Sequence, residues 1–496
     1  MVIRSTLALL AAVVVCGCTP PTDALWLEPG QEPPLILPVL GDRPAGAAQE
    51  PAVGEPAEAD DPRLTLQEAI DLALADNRGL ATSRDSRESS RLSLVTAESA
   101  FELKVFPSGN AGASGTDLDD GTERFSGGVE LRKRFTTGTS VGVRPEVSIF
   151  DNTFTTEVNL NVIQPLLRGS DREFNLSGVH SAEFGVRSSD RSLYLAQVNL
   201  IVRTVSAMYE VARQQELIRL NHESVDRLRG FAEAARAKEA AGLASPIETY
   251  RATIQLKSAE DGLIAAEESY QDALDSLRII LALSQDAPVT VNAPLTFDLL
   301  KIDETEAIDI ALRHRVELEQ AADNIAQAQR RSRIARHTTL PDLDLSLNTT
   351  QFGTNSNFAD STRLDETRWN LSVTTSTDLA RTAERAAYAQ SLLTVKTATR
   401  NMSLRRDEVV REVKRELRNL QRSEKQVRLQ EEQIRSAEGQ LELARVKFRR
   451  GLADNFDLIE AETQLRRAQT GLVSSVINYI VGTYRLRAGL GKLVER

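Results

Sequence analysis

The chain has 496 residues, 41% hydrophobic and 26% charged, a balance suited to packing a core. Its net charge of −11 argues against a nucleic-acid partner, and 5% aromatic residues disfavour an aromatic-lined pocket. The four histidines lie far apart and both cysteines fall within the first eighteen residues. A metalloenzyme or cysteine enzyme is therefore disfavoured, and no cofactor or metal is expected.

Arg4 precedes an apolar run, Leu7 to Val15, of signal-peptide length and too short to span a bilayer. The run ends in Val15-Cys16-Gly17-Cys18, which resembles a bacterial lipobox. That resemblance implies that residues 1–18 are a lipoprotein signal and that Cys18 becomes the lipidated N-terminus, enough for stable attachment. The plainer alternative is a secretion signal with incidental cysteines. Residues 19–62 hold ten of the seventeen prolines, and nine acids against Arg43 alone. Such a stretch cannot pack a core and reads as a disordered tether.

The seven prolines left in the following 434 residues predict very long uninterrupted helices. Beyond the leader there is no run of eighteen apolar residues. If the folded part crosses a membrane, it does so as a closed β-barrel.

The chain reads as built twice, over 63–290 and 291–496. Glu68-Ala-Ile-Asp-Leu-Ala-Leu74 matches Glu306-Ala-Ile-Asp-Ile-Ala-Leu312 at an offset of 238. Farther on, Gly242-Leu243-Ala244, Ala252, Leu256 and Tyr270 match Gly451-Leu452-Ala453, Ala461, Leu465 and Tyr479 at an offset of 209. The second half is thus shorter by roughly thirty residues between the two blocks.

Each half predicts the same order. A helix (64–103 and 303–337) leads to β-strands (106–166 and 342–378). A long helix follows (171–241 and 381–450), then a Gly turn and a return helix (245–285 and 454–490). About 70 residues of helix is about 105 Å. Val410, Val413, Leu417 and Leu420 step by 3, 4 and 3, and Val427 and Ile434 keep the seven-residue repeat of a coiled coil. In the β stretches, Val129, Leu131 and Phe135 alternate with Glu130, Arg132 and Arg134. Val158-Asn-Leu160-Asn-Val162 and Trp369-Asn-Leu371-Ser-Val373 alternate likewise, which fits a barrel with lipid outside and water inside. Three copies with four strands each would close a twelve-stranded barrel and leave no edges.

In this order the features resemble the outer-membrane efflux protein family, the TolC-like outer-membrane factors, over about residues 64–490. Ala73-Leu-Ala-Asp-Asn77, Ala311-Leu-Arg-His-Arg315-Val-Glu-Leu318 and Gln164-Pro-Leu-Leu-Arg-Gly169 carry the resemblance, together with the two Gly-Leu-Ala turns. The implied fold is mainly α with β, internally duplicated. Long helical hairpins form a periplasmic α-barrel beneath a trimeric transmembrane β-barrel. The implied role is the passive exit duct of a tripartite efflux or type I secretion system in the outer membrane. Its partners would be two more copies of the chain, a periplasmic adaptor (membrane fusion) protein, an inner-membrane pump and outer-membrane lipid. There are departures from the family pattern. Arg78 and Val316 stand where proline is frequent, and the first half has four strand-like segments where two are expected. The extra hairpin, about 125–149, either extends beyond the barrel or widens it.

By the same resemblance the turn residues Gly242, Leu243, Ala244 and Ser245, with Gly451, Leu452, Ala453 and Asp454, form the adaptor-facing tips. Glycine permits the sharp helix exit, and Ser245 and Asp454 suit the N-caps of the return helices. Glu248, Asp457 and Glu460 follow the turns and would form acidic rings at the tunnel mouth, with Arg251, Arg449 and Arg450 as nearby bases. The competing reading is a periplasmic adaptor with coiled-coil hairpins. Such proteins carry one hairpin, whereas this chain has two. No nucleophile–base pair or phosphate loop suggests an enzyme.

Overall fold

Two antiparallel helical hairpins extend from one end of the strands of a six-stranded sheet, in a computed structural model that describes residues 63–116, 119–150, 152–450 and 452–494. The expected leader, Cys18, the 19–62 tether and Gly451 lie outside the described residues.

The chain enters on β1 (Arg63–Thr65), which pairs in parallel with β6 (Thr290–Asn292). Helix α1 (Leu66–Asp76) starts with a capping box between Thr65 and Glu68. The single helix expected over 64–103 is in fact two, because the backbone turns extended at Asn77 before α2 (Arg78–Glu98). Asn77 caps α2 by accepting from the Leu80 N–H at 3.1 Å and donates to the Ile280 carbonyl at 2.8 Å. The second repeat breaks at the matching place. Arg315 is extended between α6 (Glu304–His314) and α7 (Val316–Thr338), so the expected 303–337 helix is also two. Arg315 lacks a capping side chain, but its buried guanidinium pairs with Glu412 and Glu317.

The long helices are as continuous as the proline scarcity demands. A short turn, α3 (Arg172–Asn175), precedes α4 (Ser177–Ala240), whose 64 residues extend about 96 Å. It returns as α5 (Pro246–Leu281), with Pro246 in the first turn, where its missing N–H costs nothing. The second hairpin is α9 (Thr382–Arg449) and α10 (Asn455–Gly489).

Toward the tips the two hairpins have equivalent cores. Leu228, Ala232 and Ala235 pack on Ala252 and Leu256, while Ala437, Leu441 and Ala444 pack on Ala461 and Leu465, the same positions at the 209-residue offset. Farther from the tips, Ile201, Val205 and Tyr209 of α4 pack against Val473, Ile477 and Ile480 of α10 and tie the hairpins together.

The sheet runs β2-β3-β4-β5-β7-β8, antiparallel throughout. Its strands are β2 (Leu103–Thr116), β3 (Asp119–Arg134), β4 (Ser140–Phe150), β5 (Thr153–Pro165), β7 (Asp344–Asn355) and β8 (Glu366–Thr374). A short helix, α8 (Phe358–Ser361), joins the last two. One copy therefore has six strands in its sheet, where a twelve-stranded barrel would need four. The extra hairpin is bonded into the sheet on both sides, and it accounts for the roughly thirty residues by which the first half is longer.

Across the ladder one face reads Val105, Leu131, Val143, Leu160, Thr349 and Trp369 in a single row. The opposite face pairs Asn161 with Asn348, Asn159 with Thr350 and Ser346 with Ser372 through side-chain hydrogen bonds. Trp369 on the apolar face is 71% exposed in a single copy.

The β3–β4 turn meets the helices at the strap Gln164–Gly169. Gly138 has φ of +85°, and a Cβ there would sit 2.2 Å from the Gly169 carbonyl oxygen and 2.7 Å from Pro165 Cγ. Gly169 in turn receives Asn175 Nδ2 on its carbonyl at 2.7 Å, and its N–H donates to His337 Nε2 at 3.2 Å. Gly138→Ala is expected to destabilise the chain by at least about 2 kcal/mol through left-handed strain and overpacking against backbone. Thermal unfolding of the detergent-solubilised protein measures this, and an unchanged midpoint would contradict the close approach.

Candidate functional site

The candidate tips lie at the ends of the helical hairpins farthest from the sheet, where Lys238 of the first hairpin reaches Phe448 of the second. Each long helix closes with the same backbone device. The Leu243 N–H donates to the Lys238 carbonyl at 2.8 Å, and the Leu452 N–H donates to the Lys447 carbonyl at 2.9 Å. This six-to-one bond needs a left-handed residue just before it, and Gly242 supplies φ of +72°. No heavy atom lies within 4 Å of where a Gly242 Cβ would stand, so backbone geometry, not space, calls for glycine.

Asp454 caps α10 by accepting from the Asp457 N–H at 3.2 Å. Ser245 differs from expectation. It occupies the N-cap position with extended backbone, yet its side chain makes no capping bond. Its carbonyl accepts from the Glu248 N–H at 2.9 Å instead, and Pro246 pre-sets the first turn.

Leu243 and Leu452 are 78% and 73% exposed, while Ala244 and Ala453 are half-buried beneath them. The surface extends beyond the turns. Ile247, Tyr250 and Ile254 are exposed on one face of α5, and Phe456 is exposed on α10. Sequence reasoning missed these four. Their signal was an apolar set lying off the Ala252–Leu256 seam that fills the hairpin core.

The acidic candidates divide. Asp457 and Glu460 are exposed, and Glu460 accepts from Gln464 Nε2 at 2.8 Å. Glu248 is half-buried. Arg449 pairs within its own helix with Glu442 at 3.7 Å.

Two further contacts tie one hairpin to the other near the tips. Lys238 Nζ donates to the Phe448 carbonyl at 2.9 Å and lies 3.3 Å from that residue's ring centroid. Three turns above, Glu462 of α10 is buried to 1% exposure against α4, where Arg227 Nε donates to it at 2.8 Å. Burial pushes the Glu462 carboxyl above its ordinary range, opposed by the attraction of Arg227. One oxygen of Glu462 and one terminal nitrogen of Arg227 are buried without a hydrogen-bond partner. The pair is a site that the sequence did not reveal, since Glu462 reads there as one more charge on a solvated helix.

A family model described as outer membrane efflux protein matches residues 69–283 and 307–491, one segment per repeat. Three solved structures share the fold. The Campylobacter jejuni CmeC outer membrane channel is 16% identical with a TM-score of 0.65, covering 87% of this chain and 86% of its own. The outer membrane protein VceC from Vibrio cholerae is 14% identical with a TM-score of 0.67, covering 86% and 96%. The open state of the Neisseria gonorrhoeae MtrE outer membrane channel is 17% identical with a TM-score of 0.65, covering 86% and 89%. No curated protein matches in sequence.

Proposed function

Because the chain belongs to the outer membrane efflux protein family, we propose that it is the exit duct of a tripartite efflux or type I secretion system. Three copies close the sheets into a barrel through the outer membrane, and the helical hairpins form the tube that crosses the periplasm. The tips formed by Gly242 to Ser245 and Gly451 to Asp454 dock on a periplasmic adaptor bound to an inner-membrane pump. Acyl chains on Cys18 add an anchor beside the barrel. The duct is passive. It supplies a water path and leaves energy to the pump. Glu248, Asp457 and Glu460 line the periplasmic mouth and favour cations there.

One observation carries this reading. The sheet has a largely apolar face whose side chains on β2, β3 and β8 are exposed, ends in two unpaired edges, and is continuous with helices about 100 Å long. Soluble sheets bury such a face, and a bilayer tolerates it only where the edges are closed.

Cell fractionation and planar-bilayer recording test the proposal together. The expected result is an outer-membrane trimer with discrete conductance steps. A soluble periplasmic monomer without conductance would point instead to an adaptor or scaffold.

A further inference from the structure

We infer that the free edges of β2 and β8 pair between neighbouring copies, so that all six strands of each copy stand in one barrel wall and a trimer encloses eighteen strands. This rests on the duct reading above and fixes what the extra hairpin does within it: it widens the wall.

The first support is the apolar face. Val105 on β2 and Phe125, Val129 and Leu131 on β3 lie on the same side as Val143 and Leu160, row for row. Val105, Phe125 and Val129 are exposed in the single copy, as Trp369 and Leu371 are at the other edge, and Leu131 is half-buried. A hairpin projecting into water or lying in the lumen has no use for an apolar side continuous with the lipid face of its neighbours. The polar side is continuous as well, running from Arg132 to Asn161, Asn348 and Asn370 along one row.

The second support is direction. β2 leaves the helical end directly after α2, and β8 returns to it just before α9. Six antiparallel strands therefore begin with one running away from the helices and end with one running toward them. Head-to-tail joining of copies keeps every neighbouring pair antiparallel. Closure also needs a stagger between joined edges. β2 has 14 residues against 9 in β8, so the shorter edge can slide along the longer and remain paired over its whole length. Pro107 withdraws one donor from β2, but the sheet already carries such a gap. The β3–β4 pairing skips the residues beside Pro145 and resumes on both sides.

The third support is that one copy leaves its own edges open. β2 and β8 are the two ends of the sheet order and do not bond to each other. In lipid those edges need partners, and a second copy supplies the complementary one. Barrel diameter grows about linearly with strand number, so six strands per copy instead of four widen the wall about 1.5-fold at equal tilt.

Disulfide trapping tests the edge pairing, on a clean background because the sequence has no cysteine beyond residue 18. Asn370→Cys on β8 is combined in turn with Phe106→Cys, Ser108→Cys, Asn110→Cys and Gly112→Cys on the same face of β2. Covalent dimers and trimers are expected from one or two of these pairs, and none from Asn370→Cys with Ala111→Cys on the opposite face. Trapping of Asn370→Cys by Ser148→Cys on β4, with none to β2, overturns the inference. Electron cryomicroscopy of the unmodified protein in lipid nanodiscs counts strands without any substitution. Six per copy supports the inference. A closed ring with four per copy, and either β3–β4 or β2–β3 outside the wall or inside the lumen, overturns it and leaves the duct standing. Absence of any ring overturns the duct reading itself.

Discussion

Arg227→Ala is expected to loosen the two hairpins from each other at a cost of about 3–5 kcal/mol, the typical effect of removing one partner from a buried ion pair. Glu462 has 1% of its side chain exposed and Arg227 only 21%, so solvent does little to screen the charge left behind. Glu223 lies 3.4 Å from Arg227 on the same helix and cannot replace the arginine for Glu462. The denaturation midpoint should fall, and amide hydrogens of α10 around residues 458–466 should exchange faster.

The pH dependence has a definite sign. Burial already holds the Glu462 carboxyl above its ordinary range, and losing Arg227 raises it further. An acid so raised keeps its proton longer in the folded chain than in the unfolded one. Stability therefore falls as pH rises through the interval between the two values and returns as pH drops back through it. The variant should recover part of its loss on mild acidification. Combining Arg227→Leu with Glu462→Leu should restore neutral-pH stability or exceed that of the unmodified chain by about 1–4 kcal/mol. If Arg227→Ala leaves the exchange of α10 unchanged at neutral pH, the buried charge is not what the two hairpins share.

Much of this architecture is legible in the residues, and the illegible parts have a common cause. The long helices follow from the absence of proline between 177 and 240 and between 382 and 449. The hairpin cores follow from apolar spacing, because the same positions are filled at a constant offset in both repeats. The Gly242 turn follows from backbone chemistry alone. What local pattern misses is decided by distant chain. The break at Asn77 depends on a bond to Ile280, 203 residues away. Joining the extra hairpin to the sheet depends on the pairing of β3 with β2 on one side and of β4 with β5 on the other. Glu462 is two residues past Glu460 on the same helix, yet a turn of about 100° per residue sends one carboxylate to solvent and the other into the α4 contact. The repeat offset could not expose it either, because Thr253 and Ser436 stand opposite Glu462 and Arg227 in the other copy of the motif.

Leu243→Asp combined with Leu452→Asp is expected to abolish adaptor docking while leaving the duct itself intact. The two leucines project from turns that close through backbone bonds, so neither side chain is needed to make the turn. Their exposure means that each adds little to the stability of the free chain. Packed into a partner, each would be desolvated and worth about 2 kcal/mol, the lower bound for a dominant interface residue. They sit on separate turns and should act independently, which gives about 4 kcal/mol, close to a thousandfold in affinity. A charge at either position adds a desolvation cost in the same direction. A photo-crosslinking side chain introduced at Tyr250, exposed one turn beyond Ile247 on the same face of α5, reports docking in cells. Its adduct with the adaptor should disappear in the doubly substituted chain, while outer-membrane insertion and bilayer conductance persist. Persistence of the adduct at normal yield would move the docking surface off the tips, whereas loss of conductance along with the adduct would make the leucines structural. Only loss of the adduct alone fits a surface whose side chains serve a partner while the backbone serves the fold.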